Sequence, residues 1–373
     1  MAEEIITLAS LTYMRAQLLS AMLEQNGIEC FMTNINRIKE SPGGVKVKIN
    51  KSDLVQANII FDDFREAYGY KKQQAVDYMK SIRRILVPVD FSFHSENAAY
   101  YALQLAAELK SDIKLLNAYL DPLSTPQSYL ESYAYQLNLD QVITEIEEET
   151  NQGLDAMAHR LKEIIKKRKI KDVNVSYDLV KGNSVDAILN YTEEFKSGII
   201  VMGTRGAELG GIKSFGSVTA DIIRKANVPV IAVPKGYDAY EQKLPKRVLY
   251  ASNFDETDYS ALRRLVSFVK PFNSKIFCVH ASLDSYDSFN ESQMKKIKNY
   301  LFETIDSHKI ECGILNTYDI QQGIEMFVEE KEIDILAVTT HKRSFIQRLF
   351  EPSITKKFLF QTQIPLLVFH ARP

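Results

Sequence analysis

Along nearly the whole chain, short apolar runs bounded by turn residues alternate with stretches of helical period. Residues 5–8 read as a strand. Residues 13–25 read as an amphipathic helix, with Leu18, Leu19, Met22 and Leu23 at helical spacing and Gly27 as its stop. Residues 28–33 read as a second strand and Gly43-Gly44 as a turn. Val45, Val47 and Ile49 alternate as a third strand, and residues 52–64 form a closing helix. The pattern predicts a small α+β unit over residues 1–70, followed by a lysine- and glutamine-bearing connector at about 70–80.

The pattern then changes. Residues 85–89 are continuously apolar, as in a strand buried on both faces of a parallel sheet. Helices are predicted at 95–110, 140–167, 184–195 and 217–225, and strands at 113–119, 173–180, 199–202 and 228–233. A glycine-bearing turn falls at Gly182 and a glycine-rich loop at 203–216. This alternation predicts a parallel sheet with right-handed crossovers. In the long helix, Glu145, Glu147, Glu148 and Glu149 come early and Lys166, Lys167, Arg168 and Lys169 late. That order complements the helix dipole, so the basic cluster reads as a solvated helix end.

After a connector at 236–246 the pattern recurs. The segment Ile85-Leu86-Val87-Pro88-Val89-Asp90-Phe91 aligns with Val248-Leu249-Tyr250-Ala251-Ser252-Asn253-Phe254 at an offset of 163 residues. Ile199-Ile200-Val201-Met202 aligns with Ile335-Leu336-Ala337-Val338 at an offset of 136, which also carries Val228-Pro229-Val230 onto Ile364-Pro365-Leu366. Two ungapped blocks in order imply a duplication. The expected fold class is therefore α/β: two tandem five-stranded parallel-sheet, Rossmann-like units at 82–235 and 246–373, preceded by the small unit at 1–70.

Composition narrows the setting. Lysine plus arginine number 46 and aspartate plus glutamate 48, a net charge of −2 that favours neither nucleic acid nor an acidic membrane. No apolar run approaches the roughly 20 residues that span a bilayer. MAEEIITLAS lacks the basic flank and apolar core of a signal peptide, so a cytoplasmic setting is expected. Cys30, Cys278 and Cys312 lie far apart with no C-x-x-C, and read as buried small hydrophobes in a reducing compartment.

The candidate chemistry lies in Gly203-Thr204-Arg205-Gly206, nine further residues, then Gly216-Ser217-Val218-Thr219. The stretch follows a buried strand and opens a helix. Gly203, Gly206 and Gly216 allow sharp turns and close approach of a ligand to the backbone. The amides and positive dipole end at the helix start suit a polyphosphate, and Ser217 and Thr219 add hydroxyls. In open α/β sheets ligands bind at the carboxyl ends of strands, where this loop sits. It is neither a P-loop nor G-x-G-x-x-G. Read singly, Asp90 is also a candidate helix cap, the glycines a mobile surface loop, and Arg205 a solvated loop charge.

The spacing G-x2-G-x9-G-S resembles the ATP-binding signature of the universal stress protein family. Val87-Pro88-Val89-Asp90, the Gly182 turn and Val228-Pro229-Val230 extend the resemblance over residues 82–235. It implies ATP, with Mg²⁺ carried on the phosphates and no protein-held metal site. It implies that Asp90 sits beside the adenosine, with Pro88 and Val89 in the same strand end, and that the Ala118 backbone meets the adenine. Met202, Gly203, Arg205, Gly206, Gly216 and Ser217 would line the phosphates and ribose, with Val218 and Thr219 completing the helix start. In this family the last strand commonly mediates dimerisation, which implies intramolecular pairing of the two tandem units and leaves a homo-oligomer open.

The second copy departs from the signature. Thr339, Lys342 and Pro352 stand at the positions of the three glycines, Asn253 at that of Asp90, and Ser353 retains the serine. Side chains at all three glycine positions and no amide at Pro352 obstruct phosphate cradling, so the second copy is expected to serve as a pairing partner without ATP. Lys342 and Arg343 leave another anionic ligand open.

The first 70 residues resemble a family of signal-transducing domains with a ferredoxin-like plait, through Ala9-Ser10, Leu18-Leu19, Leu23-Glu24, Gly27-Ile28 and Gly44-Val45-Lys46-Val47. A structural or protein-docking role is expected there, with the protein partner unnamed. The tyrosine-rich insert at 128–135 reads as loop packing, lid or interface.

No catalytic set is legible: there is no H-E-x-x-H, no G-x-S-x-G, and the six histidines are scattered. The leading expectation is a nucleotide-responsive regulatory protein of the stress response. The alternatives are an adenylyl-transferring or slowly ATP-hydrolysing enzyme, for which Asp90-Phe91-Ser92-Phe93-His94 offers one histidine, and a nucleotide-independent scaffold.

Overall fold

The computed structural model describes residues 4–11, 13–33, 45–68, 82–120, 139–204, 216–240, 244–252, 256–282, 288–304, 309–340 and 364–370. The predicted turn at Gly43-Gly44, the tyrosine-rich insert, Arg205 and Gly206, and Asn253, Lys342, Arg343, Pro352 and Ser353 lie outside these residues.

The N-terminal unit runs β1 (Ile5–Leu11), α1 (Tyr13–Gln25), β2 (Cys30–Thr33), β3 (Val45–Asn50) and α2 (Leu54–Tyr68). Its antiparallel sheet has the order β1-β3-β2. This is a split β-α-β arrangement with β3 inserted, the order of a ferredoxin-like plait up to its second helix. Gly27 ends α1 at a φ of 76°, and the Ile28 amide turns back to the Leu23 carbonyl at 3.0 Å. Within α1, Ala16, Leu19 and Leu23 are buried, whereas Leu18 is 43% exposed. The buried stripe thus follows i, i+3, i+7, and Leu18 falls off it.

The remainder forms one ten-stranded sheet. The first tandem unit supplies β4 (Arg84–Pro88), α3 (Phe93–Leu109), β5 (Asp112–Tyr119), α4 (Leu139–Arg168), β6 (Val175–Lys181), α5 (Ser184–Glu194), β7 (Ile199–Gly203), α6 (Ser217–Lys225) and β8 (Val230–Val233). The second supplies β9 (Arg247–Ala251), α7 (Glu256–Val269), β10 (Lys275–Ser282), α8 (Ser288–Thr304), β11 (Ile310–Asn316), α9 (Ile320–Glu330), β12 (Ile335–Thr340) and β13 (Leu366–His370). The strand order is β11-β10-β9-β12-β13-β8-β7-β4-β5-β6. Every pairing is parallel except β13 with β8, where Leu366 meets Ala232 and Val368 meets Val230. The last strand of each unit covers the other's edge, so neither buried strand is left as an open template.

The duplication extends to single hydrogen bonds. Ser111 Oγ donates to the Ile82 carbonyl at 2.5 Å, and Ser274 Oγ to that of Pro245 at 2.6 Å. The Ile200 amide bonds Pro229 O, and the Leu336 amide bonds Pro365 O, both at 3.0 Å. Helices α3, α4, α7 and α8 cover one face of the sheet, and α5, α6 and α9 the other. Both apolar layers run through the β8–β13 seam without a break.

The stretch after β8 does more than connect. Asn97 in α3 donates to the Tyr237 carbonyl and accepts from the Ala239 amide at 2.9 Å, and Gln104 donates to the Ala239 carbonyl. Tyr237 stacks edge-on against the buried Tyr101 at 5.6 Å. At the seam, His370 Nε2 donates to the Ile223 carbonyl at 2.5 Å, and Arg264 donates to the His370 carbonyl at 3.3 Å. The bond from His370 ties the two units, and the bond from Arg264 holds β13 to α7 within the second. Among the described residues no helix is long and apolar enough to cross a membrane.

Candidate functional site

In the first unit the strand order reverses between β4 and β7, the place where open α/β sheets form a crevice. The β4–β7 ladder covers only Ile85 with Ile199 and Leu86 with Ile200, while β4 stays paired with β5 as far as Pro88 and Leu116. Pro88 has no N–H with which to extend the ladder toward β7. The carboxyl ends of β4 and β7 therefore part, and the candidate residues lie around that parting.

Val89 is buried, its amide bonding the Leu116 carbonyl at 2.8 Å and its carbonyl accepting from Asn117 Nδ2 at 2.8 Å. Asp90 is exposed. It is not the cap of α3: that role belongs to Ser92, whose side chain accepts from the Ser95 amide at 3.2 Å. Asp90 Oδ1 instead accepts from the Ser92 amide at 3.1 Å and the Ser92 hydroxyl at 2.6 Å. Two donors on one carboxylate oxygen fix the side chain at the mouth of the crevice. Between them Phe91 sits at a φ of 60°, rare for an aromatic residue, and its ring packs where a Cβ on Gly153 of α4 would come within 2.9 Å. Ala118 is half-buried near the end of β5, one residue before Tyr119, whose hydroxyl donates to Glu147 of α4.

Across the parting, Met202 and Gly203 end β7, both buried. Gly203 is required by packing: a Cβ there would lie 2.8 Å from the His94 carbonyl oxygen in the first turn of α3. The sequence suggests ligand approach for this glycine; its contact with His94 appears only in the fold. Gly216 caps α6 with no side-chain hydrogen bond, and its own amide bonds the Thr204 carbonyl at 2.8 Å. Ser217 and Val218 open the helix. Thr219 is 3% exposed, and its hydroxyl donates to the Gly203 carbonyl at 2.8 Å. Thr219 thus moors the helix start to the strand end and spends its donor there. The end of β4, the end of β7 and the start of α6 are brought to one rim, and the residues from 205 to 215 lie outside the description.

What this rim offers is backbone N–H at a helix start without a side-chain cap, a buried strand floor and one oriented carboxylate. Such a set suits a polyanion with a polar, uncharged head. Among the described residues no group of three or more His, Cys, Asp or Glu could hold a metal.

In the second unit the corresponding strand ends stay together. The β9–β12 ladder runs on to Ala251 with Val338. Tyr250 hydroxyl hydrogen-bonds with Thr339 Oγ1 at 2.7 Å and donates to Asp258 Oδ1 at 2.6 Å, while Ser252 Oγ donates to Asp258 Oδ2 at 2.7 Å. Asp258 is 2% exposed. Burial, then the neighbouring Asp258, pushes the Tyr250 hydroxyl well above its ordinary pKa, so it stays a donor. His280 Nδ1 donates to the Ser252 carbonyl at 2.8 Å, the place Asn117 takes in the first unit.

The chain matches the universal stress protein family over residues 81–234 and again over 245–370. A universal stress protein of Methanocaldococcus jannaschii is 26% identical over 155 residues, which span 41% of this chain and 82% of that protein. The crystal structure of a universal stress protein from Archaeoglobus fulgidus covers 77% of this chain and 96% of its own, at 17% identity and a TM-score of 0.51. A universal stress protein solved in complex with cAMP is 22% identical and covers 41% of this chain and 97% of its own, with a TM-score of 0.28. With two successive family matches lying on two halves of one sheet, the chain belongs to the universal stress protein family, in tandem form.

Proposed function

We propose that the first tandem unit binds ATP with Mg²⁺ at the parting of β4 and β7, and that nucleotide occupancy regulates what the protein pairs with. The observation that carries this reading is the open strand end beside an uncapped helix start, with Gly203 packed under His94 and Gly216 leading α6. The triphosphate would lie on the first-turn amides of α6, with Ser217 and Val218 around it, and Arg205 and Gly206 are proposed as further ligand residues. Asp90 and the Ala118 backbone would meet the adenosine. The cation would be held by phosphate oxygens and water. The second unit, its rim closed by Tyr250, Thr339 and Asp258, takes no ATP by this mode and serves as the fixed partner of the first.

The N-terminal unit, which approaches α7 through β1, is assigned a structural or protein-docking role in signal transduction. The proposal includes a cytoplasmic setting, which the unpaired cysteines suit.

Isothermal titration of the full chain with Mg-ATP is the test. One site per chain is expected. No binding would remove the proposal, and two sites per chain would remove the assignment of the second unit as a closed partner.

A further inference from the structure

In the first unit, Val87, Leu115 and Tyr177 stand in register across β4, β5 and β6. The equivalent row in the second unit is Tyr250, Cys278 and Cys312 across β9, β10 and β11. Two apolar positions at the centre of the sheet have thus become ionisable. At the same end Asp258 stands where the first unit has Ser95, and it is buried against Tyr250. A packed α/β core gains nothing in apolar burial from these exchanges, and local departures of this kind concentrate at functional positions.

Cys278 and Cys312 are directly paired on adjacent parallel strands, so their side chains leave the same face. Neighbouring strands lie about 4.8 Å apart, within the roughly 4.4–6.8 Å Cα separation that a disulfide spans. Cys278 is fully buried. Cys312 is half-buried on β11, the edge strand of the sheet, with Lys298 of α8 close by. One thiol is thus reachable from solvent and the other waits behind it. No third ligand makes the pair a metal site among the described residues.

We infer that Cys278 and Cys312 form a reversible dithiol–disulfide site, oxidised by a hydroperoxide and restored by a dithiol reductant. The Cys312 thiolate attacks a peroxide oxygen: an S–O bond forms, the O–O bond breaks, and the leaving oxygen takes a proton to depart as alcohol or water. Cys278 sulfur then attacks Cys312 sulfur. The S–S bond forms, the S–O bond breaks, and the oxygen departs as water with the proton from Cys278. Two electrons pass from the two thiols to the peroxide, and a dithiol reductant returns two electrons and two protons.

The direction of attack follows from the local electrostatics. A hydrogen bond from the Cys278 thiol holds the Cys312 thiol below its ordinary value against the opposing effect of burial, and Lys298 assists. The same hydrogen bond and full burial push Cys278 well above its own. The reachable cysteine is therefore the nucleophile and the buried one the resolving thiol.

The test uses the reduced full chain treated with hydrogen peroxide, alkylated under denaturing conditions and digested for mass spectrometry. Of the three cysteines, Cys30 is expected to remain alkylated while Cys278 and Cys312 appear as one linked peptide that dithiothreitol releases. Three alkylated thiols, or Cys312 over-oxidised without a link, would overturn the inference. With Cys278→Ser, the sulfenic acid is expected to persist at Cys312 and be trapped by dimedone; labelling at Cys30 instead would also overturn it. Mg-ATP titration of the oxidised sample reads the nucleotide proposal separately, so either can fail alone.

Discussion

The two tandem units share strand order, helix placement and individual backbone hydrogen bonds, yet their carboxyl ends differ. In the first, β4 leaves β7 after Leu86, Gly203 packs under the His94 carbonyl, and Gly216 leads α6 without a side-chain cap. In the second, β9 stays with β12 to Ala251, and Tyr250, Thr339, Ser252 and Asp258 fill the place with hydroxyls and a carboxylate. The comparison teaches that a duplicated sheet can keep its core while the strand ends part in one copy and stay joined in the other. The change takes a residue with a backbone N–H in place of Pro88, hydroxyls in place of Val87, Val89 and Gly203, and a carboxylate in place of Ser95.

Substitutions can break this contrast. The largest effect is expected at Asp258→Ala, which removes the carboxylate that accepts from the Tyr250 and Ser252 hydroxyls in the interior. Unfolding in urea should show a loss of about 3 kcal/mol, with ATP stoichiometry unchanged. A loss below about 1 kcal/mol would mean that the cluster does not hold the second rim shut. Next comes Gly216→Pro, which imitates the second copy at Pro352 and removes the amide that moors the helix start to the Thr204 carbonyl. Calorimetry should show ATP affinity weakened about 100-fold, close to 2.7 kcal/mol, with the fold retained by circular dichroism. Gly203→Ala forces its new Cβ against His94 and should lower stability by about 2 kcal/mol. Its thermal melt should fall in the absence of nucleotide, which distinguishes a packing glycine from one needed only for a ligand. The smallest effect is expected at Ser92→Ala, which removes the α3 cap and a donor to Asp90, for a loss of about 1 kcal/mol. ATP affinity should drop with it if the fixed Asp90 carboxylate meets the adenosine; unchanged affinity would take Asp90 out of the site.

Much of this architecture was written locally. Runs such as Ile85-Leu86-Val87 and Ile335-Leu336-Ala337 declare buried parallel strands by themselves, and the glycine and proline positions mark where those strands end. The repeat was legible because both copies preserve the same apolar order. Leu18 was misplaced on the buried stripe because a helix with apolar residues on adjacent positions does not say which of them faces the sheet. At the site, the spaced glycines were visible, but the reason for Gly203 was not: its neighbour His94 belongs to a helix more than a hundred residues earlier.

By itself the sequence determined the kinds of element, their order, the duplication and the loss of the glycines from one copy. These follow from side-chain period and backbone freedom, which act over a few residues. Only the tertiary structure decided which residues meet. Strand register set Cys278 beside Cys312, the antiparallel seam set β8 on β13, and the unequal ladders opened one rim and closed the other. Pairing between distant strands depends on how whole helices cross over the sheet, and no local pattern of apolar and polar residues carries that information.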